Sequence, residues 1–398
     1  MPKLLVTDLD VRGRRVLVRA DFNVPLANGE ITDDRRIRES LPTIRWLMEH
    51  GARTILMSHL GRPKGKPDPD SSLAPVAERL SAELRREVRL APDCVGEQVA
   101  GLLQGLGDGD VLLLENVRFH KAETDNERAF AKALAALGEI YVNDAFGTAH
   151  RPHASTYGVT EHFEKCAMGL LMKKELDYLG GALENPARPF VAILGGAKVS
   201  GKIEVISNLL PRVDRLIIGG GMAYTVFRAM GREIGTSLLE EDALDAARQI
   251  LAEAEKLGKD RLLLPIDIVT ADRFENDADR RECAADAIPA DRQGLDIGPR
   301  TRALFAATIR DARTVVWNGP MGVFEFPNFA HGTAAVAEAL VAATKRGATT
   351  IVGGGDSAAA IAQLGLDEQV SHVSTGGGAS LEFLAGKRFP GVDALSDA

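Results

Sequence analysis

Cationic side chains follow several short apolar runs in the first half of this 398-residue chain. They come in four groups along the chain: Arg19 with Asp21 and Asn23, His59 with Arg62, Arg118 with His120, and His150 with Arg151 and His153. Segment 33–38 adds further arginines, including Arg36. The planar guanidinium group of arginine can donate two parallel hydrogen bonds to phosphate or carboxylate oxygens. A cluster of positive charges is stabilised by a bound anion. The pattern predicts a basic site for a small, multiply charged anion, although any single Arg or His could equally be a surface or packing residue.

Glycines take the corresponding positions in the second half. Apolar runs end there in glycines at 195–196, 219–221, 353–355 and 376–378. Glycine lacks a Cβ, so the backbone can approach a ligand and direct its N–H groups at phosphate near a helix N-terminus. One such turn is weak support, but several at equivalent sheet positions indicate a nucleotide site.

Residues 196–202 have the GxxxxGK spacing of a phosphate-binding loop. The next residue is Ile203, where such a loop places a Ser or Thr hydroxyl on Mg²⁺. We therefore do not expect a Walker A loop. Lys198 and Lys202 remain candidates for contacts with nucleotide phosphates, the alternative being two solvated lysines.

Residues 353–358 formally match the dinucleotide turn GxGxxG/A, but Asp356 would set a carboxylate against the pyrophosphate. A Mg²⁺ ion between carboxylate and phosphates removes that repulsion, so we predict Asp356 as a Mg²⁺ ligand. A helix N-cap is the alternative role, compatible with the first. The apolar loop 317–325 could cover a purine, with Glu325 near the ribose hydroxyls, or could be a packed turn.

The elements that position these residues alternate between strand-like runs and helices, which predicts an α/β fold with mainly parallel sheets. The runs are Arg15–Asn23, Thr54–Gly61, Val111–Arg118, Glu139–Gly147, Phe190–Gly196, Arg215–Gly221, Arg261–Thr270, Thr314–Gly319, Thr349–Gly355 and His372–Gly378. Two apolar stripes with helical spacing are Leu73-Val76-Leu80-Leu84-Val88 and Leu244-Ala247-Ile250-Leu251-Ala254-Leu257. We expect Gly258 to end the second helix and Ser237 with Glu240 to form a capping box before it.

A helix over 171–183, stopped by the prolines of 184–189, is the predicted boundary between two α/β units.

The net charge is −8, which argues against a general nucleic-acid or anionic-membrane binder. No apolar stretch approaches about 18 residues, so no membrane span is expected. The three cysteines are far apart without a CxxC, which fits a reducing cytoplasm and excludes a zinc cluster built on cysteine.

Eight segments, in order over essentially the whole chain, closely resemble the phosphoglycerate kinase family. They are RVLVRADFNVPL (15–26), SHLGRP (58–63), LLLENVRFH (112–120), NDAFGTAHRPHAS (143–155), GGAKVSGKI (195–203), WNGPMGVFE (317–325), GGGDS (353–357) and STGGGASLE (374–382). The resemblance implies reversible phosphoryl transfer from 1,3-bisphosphoglycerate to ADP with Mg²⁺, giving 3-phosphoglycerate and ATP in glycolysis and gluconeogenesis.

The resemblance also implies two Rossmann-like, doubly wound parallel-sheet domains joined by a helix and hinge. We expect a 3-phosphoglycerate-binding domain over 1–170 plus 381–398, an interdomain helix over 171–185, and a Mg-nucleotide-binding domain over 186–380. The two half-sites are expected to close on each other so that water is excluded. A monomeric, cytoplasmic enzyme is expected.

By the same resemblance, Asp21 and Asn23 hold the glycerate hydroxyl region. His59, Arg62, Arg118 and Arg151 bind the phosphate that is not transferred, with His150 and Arg19 in support. Arg36 and Lys202 contact the phosphoryl group in flight, and Lys198 meets the nucleotide phosphates. Asp356 holds Mg²⁺, Gly354, Gly355 and Ser357 line the phosphates with it, and Glu325 meets the ribose. Backbone N–H groups near Gly376 and Gly377 could also stabilise the moving group.

Two other classes compete with this interpretation. A nicotinamide dehydrogenase needs an uncharged pyrophosphate turn and an acidic ribose ligand downstream, and Asp356 argues against the first. A two-lobed anion-binding protein would need neither the lysine pair 198 and 202 nor a nucleotide pocket.

Overall fold

The computed structural model describes residues 2–258 and 260–398. The chain divides into two compact units, one of Met1–Asp177 with Arg388–Ala398 and one of Tyr178–Lys387. No helix in the described ranges is both long and apolar enough to cross a bilayer.

The first unit is built on a six-stranded, all-parallel sheet. Its strands and those of a small hairpin are β1 (Arg15–Arg19), β2 (Leu26–Ala27), β3 (Glu30–Ile31), β4 (Arg53–Met57), β5 (Val88–Leu90), β6 (Val111–Leu113), β7 (Ile140–Asn143) and β8 (Cys166–Met168). The helices are α1 (Arg35–Glu49), α2 (Ala74–Leu84), α3 (Glu97–Gln104), α4 (Lys121–Thr124), α5 (Arg128–Ala135) and α6 (Leu170–Glu184). The sheet order is β5-β6-β4-β1-β7-β8, and β2 and β3 pair separately.

The second unit repeats this architecture and adds a smaller sheet. Its strands are β9 (Phe190–Leu194), β10 (Arg215–Ile218), β11 (Leu262–Leu263), β12 (Asp267–Ala271), β13 (Arg280–Ala284), β14 (Gln293–Ile297), β15 (Thr314–Asn318), β16 (Thr349–Gly353) and β17 (His372–Val373). The helices are α7 (Ile203–Leu209), α8 (Met222–Ala229), α9 (Leu244–Leu257), α10 (Pro299–Arg310), α11 (His331–Thr344), α12 (Gly355–Gln363) and α13 (Gly378–Leu384). The parallel sheet runs β11-β10-β9-β15-β16-β17.

The central strands of both sheets are buried along nearly their whole length, as parallel strands covered by helices on both faces require. In the first unit Val16 and Val18 of β1 pack in one core with Ile37 and Ile44 of α1. In the second unit Trp317 of β15 is fully buried in the equivalent core. The predicted α/β class with two doubly wound parallel sheets is confirmed.

The chain returns to the first unit after α13, and α14 (Pro390–Asp393) belongs there. Lys3 Nζ donates to the carbonyl oxygen of Leu395 at 2.7 Å, and the Ser396 Oγ accepts a bond from the Cys166 N–H at 3.0 Å. The Asn208 side chain in α7 donates to the Leu384 carbonyl at 2.6 Å, which keeps α13 in the second unit. The return therefore begins at Arg388 rather than at 381, and the other division falls inside α6.

Three expected local features are wrong. Val88 does not extend the α2 stripe: the helix ends at Leu84, Arg85 turns the backbone with a φ of 52°, and Val88 pairs with Val111 in the sheet. The predicted strand over 261–270 is two strands in different sheets. Proline at 265 lies between them, and it has no N–H with which to continue a strand ladder.

The expected capping box before α9 does not form either. The helix begins at Leu244 after Ala243. Ser237 instead accepts a bond from the Gly294 N–H at 2.9 Å, and Glu240 accepts bonds from residues 199 and 200. The two side chains hold neighbouring loops together, and Gly258 ends the helix as predicted.

The antiparallel sheet β13-β12-β14 was not expected from the sequence. Four of its β13 residues are exposed and its alternation is weak, so the pattern of the segment is close to that of a loop. This sheet supplies part of the lining of a cavity described below.

Candidate active site

The carboxyl ends of β1, β4 and β7 bring the first unit's predicted residues together, because β4 and β7 flank β1 in parallel register. Arg36 Nη1 lies 3.7 Å from Asp21 Oδ1 and donates to the Asn23 carbonyl oxygen at 2.6 Å. Burial alone would raise the pKa of Asp21, but the charges of Arg36 and then Arg19 act in the opposite direction, and that pKa is lowered to about 2. Asp21 is therefore a carboxylate that orients cations.

Arg19 fixes the state of His59. The Arg19 side chain is fully buried, its Nε donates to Ser155 Oγ at 2.8 Å, and its Nη2 lies 3.2 Å from His59 Nδ1. A guanidinium can only donate, so Nδ1 accepts and the imidazole proton sits on Nε2. Burial holds the pKa of His59 well below its usual range; Asp21 opposes this shift, and the nearby arginines Arg19, Arg118 and Arg36 reinforce it. His59 is therefore a neutral donor through Nε2.

A basic cavity of about 600 Å³ lies beside this network. Its basic lining consists of five cationic side chains, Arg62, Lys64, Arg118, Lys121 and Arg151, and the buried imidazole of His153. Arg118 Nη1 donates to the Gly61 carbonyl at 3.0 Å, while Asn23 Oδ1 accepts the Gly61 N–H at 2.9 Å, so one loop links the cavity to Asp21 and Arg36. Burial, with Arg19 and Arg151, lowers the pKa of Arg118 to about 10. A bound anion would relieve this mutual repulsion.

The histidines of the first unit differ in their surroundings. Arg151 Nε donates to His150 Nε2 at 2.9 Å, which places His150 at the rim of the basic cavity. Burial, followed by Arg118, Arg19 and Arg151, lowers the pKa of His153 to about 4. The His120 Nε2, by contrast, bonds to Asp93 Oδ1 at 2.7 Å, and His120 does not line the cavity.

A second cavity, of about 490 Å³, lies within the second unit at the carboxyl ends of its parallel strands. Glycines form much of its wall, namely Gly196, Gly220, Gly221, Gly294 and Gly322, with apolar side chains such as Tyr224, Leu238, Phe274 and Met321. The exposed carboxylates of Glu325 and Asp356 also reach it. An apolar wall with glycine turns and two carboxylates suits a nucleotide.

Lys202 is held at the end of β15. Its Nζ donates to the Asn318 carbonyl at 2.8 Å and to Asn318 Oδ1 at 2.6 Å. Burial lowers the pKa of Lys202 to about 8, and the charge of Asp356 opposes that shift. Lys198 is exposed and does not line the cavity.

The turn before α12 requires glycine at 354. Gly354 has a φ of 87°, and a Cβ there would lie 2.9 Å from Asn318 Nδ2. Gly355 starts the helix, Asp356 is exposed in its first turn, and buried Ser357 accepts the Gly319 N–H through Oγ at 2.5 Å. Gly354 takes the N-cap position and Asp356 lies in the first turn of the helix, so the N-cap alternative is wrong; Asp356 lines the cavity.

Sequence reasoning missed several residues that shape these sites. Asn318 was part of a predicted purine wall, yet it is the partner of Lys202, and its Nδ2 is buried without a partner among the described residues. Ser155 anchors Arg19 from a segment 136 residues away. Glu240 fastens the loop before α7 by accepting the Val199 N–H at 2.6 Å. Only the polar type of Asn318, directly at a strand end, offered a signal.

A family model described as phosphoglycerate kinase matches residues 6–387. The chain belongs to the phosphoglycerate kinase family. Among curated relatives, phosphoglycerate kinases from Koribacter versatilis and Chloroherpeton thalassium are 59% and 56% identical, each over 100% of both chains. The resemblance inferred from the eight segments is confirmed.

Two solved structures of family members share the fold. The phosphoglycerate kinase from Coxiella burnetii aligns with a TM-score of 0.88 at 44% identity, covering 99% of this chain and 98% of the other. The enzyme from Pyrococcus horikoshii aligns with a TM-score of 0.85 at 32% identity, covering 98% of each chain. The two-domain α/β fold thus extends across distant members of the family.

Proposed function

We propose that the two cavities divide the substrates of one phosphotransferase reaction, with 3-phosphoglycerate in the basic cavity and the Mg-nucleotide in the glycine-lined cavity. The chain is a phosphoglycerate kinase by family, and its reaction is the reversible transfer of a phosphoryl group from 1,3-bisphosphoglycerate to ADP, as in glycolysis. The observation that carries the division is chemical: one cavity has six cationic or imidazole side chains, and the other has two carboxylates on a glycine-rich wall.

A coupled assay tests this function directly. We expect ADP release that requires both Mg-ATP and 3-phosphoglycerate, and that stops when either is omitted. ADP release without 3-phosphoglycerate would instead indicate a simple ATPase. Reduction of a nicotinamide in the absence of coupling enzymes would revive the dehydrogenase alternative.

The residue roles proposed for the first unit are those that the family resemblance implies, and the basic lining of the cavity supports them. Arg62, Arg118 and Arg151 bind the phosphate that is not transferred, since each guanidinium can donate hydrogen bonds to two phosphate oxygens at once. Asp21 and Asn23 accept from the glycerate hydroxyl region. His59 donates through Nε2, and its neutrality avoids adding another buried charge.

Of the proposed nucleotide residues in the part of the chain that the structure describes, Glu325 and Asp356 line the second cavity and the others do not. Glu325 accepts from the ribose hydroxyls, and Gly354, Gly355 and Ser357 bring the start of α12 to the phosphates, where helix N–H groups favour negative charge. Lys198 meets the nucleotide phosphates from its exposed position. Lys202, and Arg36 in the unit that binds the other substrate, are proposed to neutralise the phosphoryl group as it moves.

Little acid–base chemistry is required of the protein. The leaving group of the acyl phosphate is a carboxylate, and the attacking ADP oxygen is already ionised, so no general base is needed. Catalysis then consists of holding the reacting atoms in line and neutralising charge on the moving group. The N–H groups near Gly376 and Gly377 are further candidates, because Gly377 opens α13 with a φ of 54°.

The residues present fit a magnesium ion. Mg²⁺ in phosphotransferases takes one or two carboxylates together with substrate phosphates and waters, and Asp356 offers an exposed carboxylate at the cavity wall. When bound, the ion would neutralise nucleotide charge. We expect Asp356→Asn to raise the Mg²⁺ concentration for half-maximal rate by at least tenfold, measured by Mg²⁺ titration at fixed ATP. An unchanged Mg²⁺ requirement would remove Asp356 from the metal site.

The lowered pKa of Lys202 predicts a pH dependence. Below about pH 8 its ammonium is charged and attracts nucleotide phosphate, and the charge is lost as the pH rises through 8. We expect kcat/KM for the nucleotide to fall above that pH, because this ratio reports the free enzyme. Lys202→Arg should retain the charge and flatten the alkaline limb. An alkaline limb unchanged by that substitution would assign it to another group.

Direct phosphoryl transfer requires the two substrates to meet away from water. We therefore expect 3-phosphoglycerate and a Mg-nucleotide added together to reduce the radius of gyration in small-angle scattering. Either ligand alone should have a smaller effect. Identical scattering curves with and without both ligands would contradict the proposed hinge closure.

A cytoplasmic, monomeric enzyme that binds neither nucleic acid nor membranes remains the expectation. Three unpaired thiols, Cys94, Cys166 and Cys283, and a net charge of −8 support it. Sedimentation analysis gives the oligomeric state.

A further inference from the structure

One group of metal-ligating side chains lies outside the proposed substrate sites. Asp93, Cys94 and His120, here called the DCH cluster, place one carboxylate oxygen, the Sγ and one imidazole nitrogen all within 4.8 Å of one another. Asp93 and Cys94 follow β5 and His120 follows β6, and these two strands pair in parallel. The sheet itself therefore brings the three ligands together.

We propose that the DCH cluster binds one borderline-soft divalent cation of the Zn²⁺ type, through Asp93 Oδ1, Cys94 Sγ and His120 Nε2. Thiolate and imidazole are ligands that such ions prefer, whereas Mg²⁺ prefers oxygen alone. Three protein ligands leave a fourth position for water. The site is distinct from Asp356, which offers a single carboxylate in the other unit.

The local charge favours a cation. The carboxylates of Asp93 and Glu123 both act electrostatically on the Cys94 side chain. Negative groups in this position stabilise a dication placed among them. Binding replaces the thiol hydrogen: the S–H bond breaks, an S–metal bond forms, and one proton leaves to solvent. His120 Nε2 donates to the Asp93 carboxylate, which can only accept, so the imidazole proton has to move from Nε2 to Nδ1 when Nε2 ligates the ion.

The geometry gives the ion a way in. Cys94 is fully buried, but the side chains of Asp93 and His120 are 46% and 32% exposed, so the open side of the cluster faces solvent. The His120 ring stacks on Phe130 with 5.1 Å between centroids, which fixes its plane. Ligand atoms around tetrahedral zinc stand roughly 3.3–3.8 Å apart. The Asp93–His120 contact of 2.7 Å therefore has to open slightly when the ion enters.

Titration of the full-length, metal-free protein with Co²⁺ tests the site. Cobalt bound by a thiolate gives a near-ultraviolet charge-transfer band and strong visible bands when tetrahedral. We expect one equivalent of Co²⁺ to produce the charge-transfer band and the visible bands. Added Zn²⁺ should abolish these bands, and millimolar Mg²⁺ should leave them unchanged. Cys94→Ser should remove the charge-transfer band and weaken Co²⁺ binding by about 100-fold or more. The control is Cys166→Ser, which changes another buried cysteine of the same unit and should keep both the band and the Co²⁺ affinity.

Absence of a charge-transfer band in the wild type, or its survival in Cys94→Ser, would overturn the proposal. If circular dichroism shows that Cys94→Ser is unfolded, His120→Gln decides instead, because that side chain is partly exposed. Its substitution should lower Co²⁺ affinity by tenfold or more, and unchanged affinity would overturn the proposal. Catalytic activity plays no part in either readout, so the outcome is independent of the proposed function.

Discussion

Lys202→Ala is expected to lower kcat by roughly 10²–10³-fold, the cost typical of losing one donor aimed at charge in a transition state. The ammonium donates two bonds to the oxygens of Asn318 at the end of β15. An alanine removes the charge entirely. Steady-state kinetics in both directions measure the effect, with kcat falling more than the nucleotide affinity.

The control for this variant is Lys256→Ala, which removes an exposed lysine of α9 in the same unit. It should leave kcat unchanged. Lys202→Ala also leaves the Asn318 oxygens short of a donor, at a cost of about 1–3 kcal/mol in stability, so its thermal unfolding has to be compared at the assay temperature. Near-wild-type turnover of a folded Lys202→Ala would contradict the assigned role.

Arg36→Ala is expected to have a loss of similar size, roughly 10²–10³-fold in kcat. Its guanidinium bonds to the Asn23 carbonyl and approaches Asp21, which holds the positive charge at the end of β1. Removing Arg36 also removes the first of the cations that lower the pKa of Asp21, so that pKa should rise. Stopped-flow and steady-state rates with 3-phosphoglycerate measure the kinetic effect.

Arg45→Ala is the matched control, because Arg45 is an exposed arginine of the same helix, α1. Its loss should leave both kcat and KM within twofold of the wild type. Arg36→Lys keeps the positive charge but loses the planar, bidentate guanidinium. We expect its kcat to lie between those of Arg36→Ala and the wild type, since an ammonium cannot reproduce the paired hydrogen bonds of a guanidinium. Full activity of Arg36→Ala would show that the phosphoryl group is neutralised elsewhere.

The parallel sheets were predictable because their central strands are apolar throughout. Runs such as Phe190–Gly196 have no polar face, and only burial on both sides permits that. The strand ends were also informative, since polar or glycine residues there collect at one edge of a sheet. The runs overestimated strand length: only Arg15–Arg19 of the run ending at Asn23 is strand, because Asp21 and Asn23 bond within the loop.

The partners that fix the site residues could not be predicted from spacing. Ser155 meets Arg19, and Asn318 meets Lys202, across more than a hundred residues of sequence. Such contacts depend on how loops fold over a sheet edge, for which no local pattern exists. The antiparallel sheet around β12 was missed for a related reason, since its exposed strand β13 lacks an apolar face of its own.

A crystal structure of the wild-type enzyme with 3-phosphoglycerate and Mg-ADP tests the division of substrates between the two cavities most directly. We predict the non-transferred phosphate among Arg62, Arg118 and Arg151, and the ADP phosphates at the start of α12 beside Lys202 and Asp356. Nucleotide density in the basic cavity, or 3-phosphoglycerate bound away from those arginines, would contradict the account.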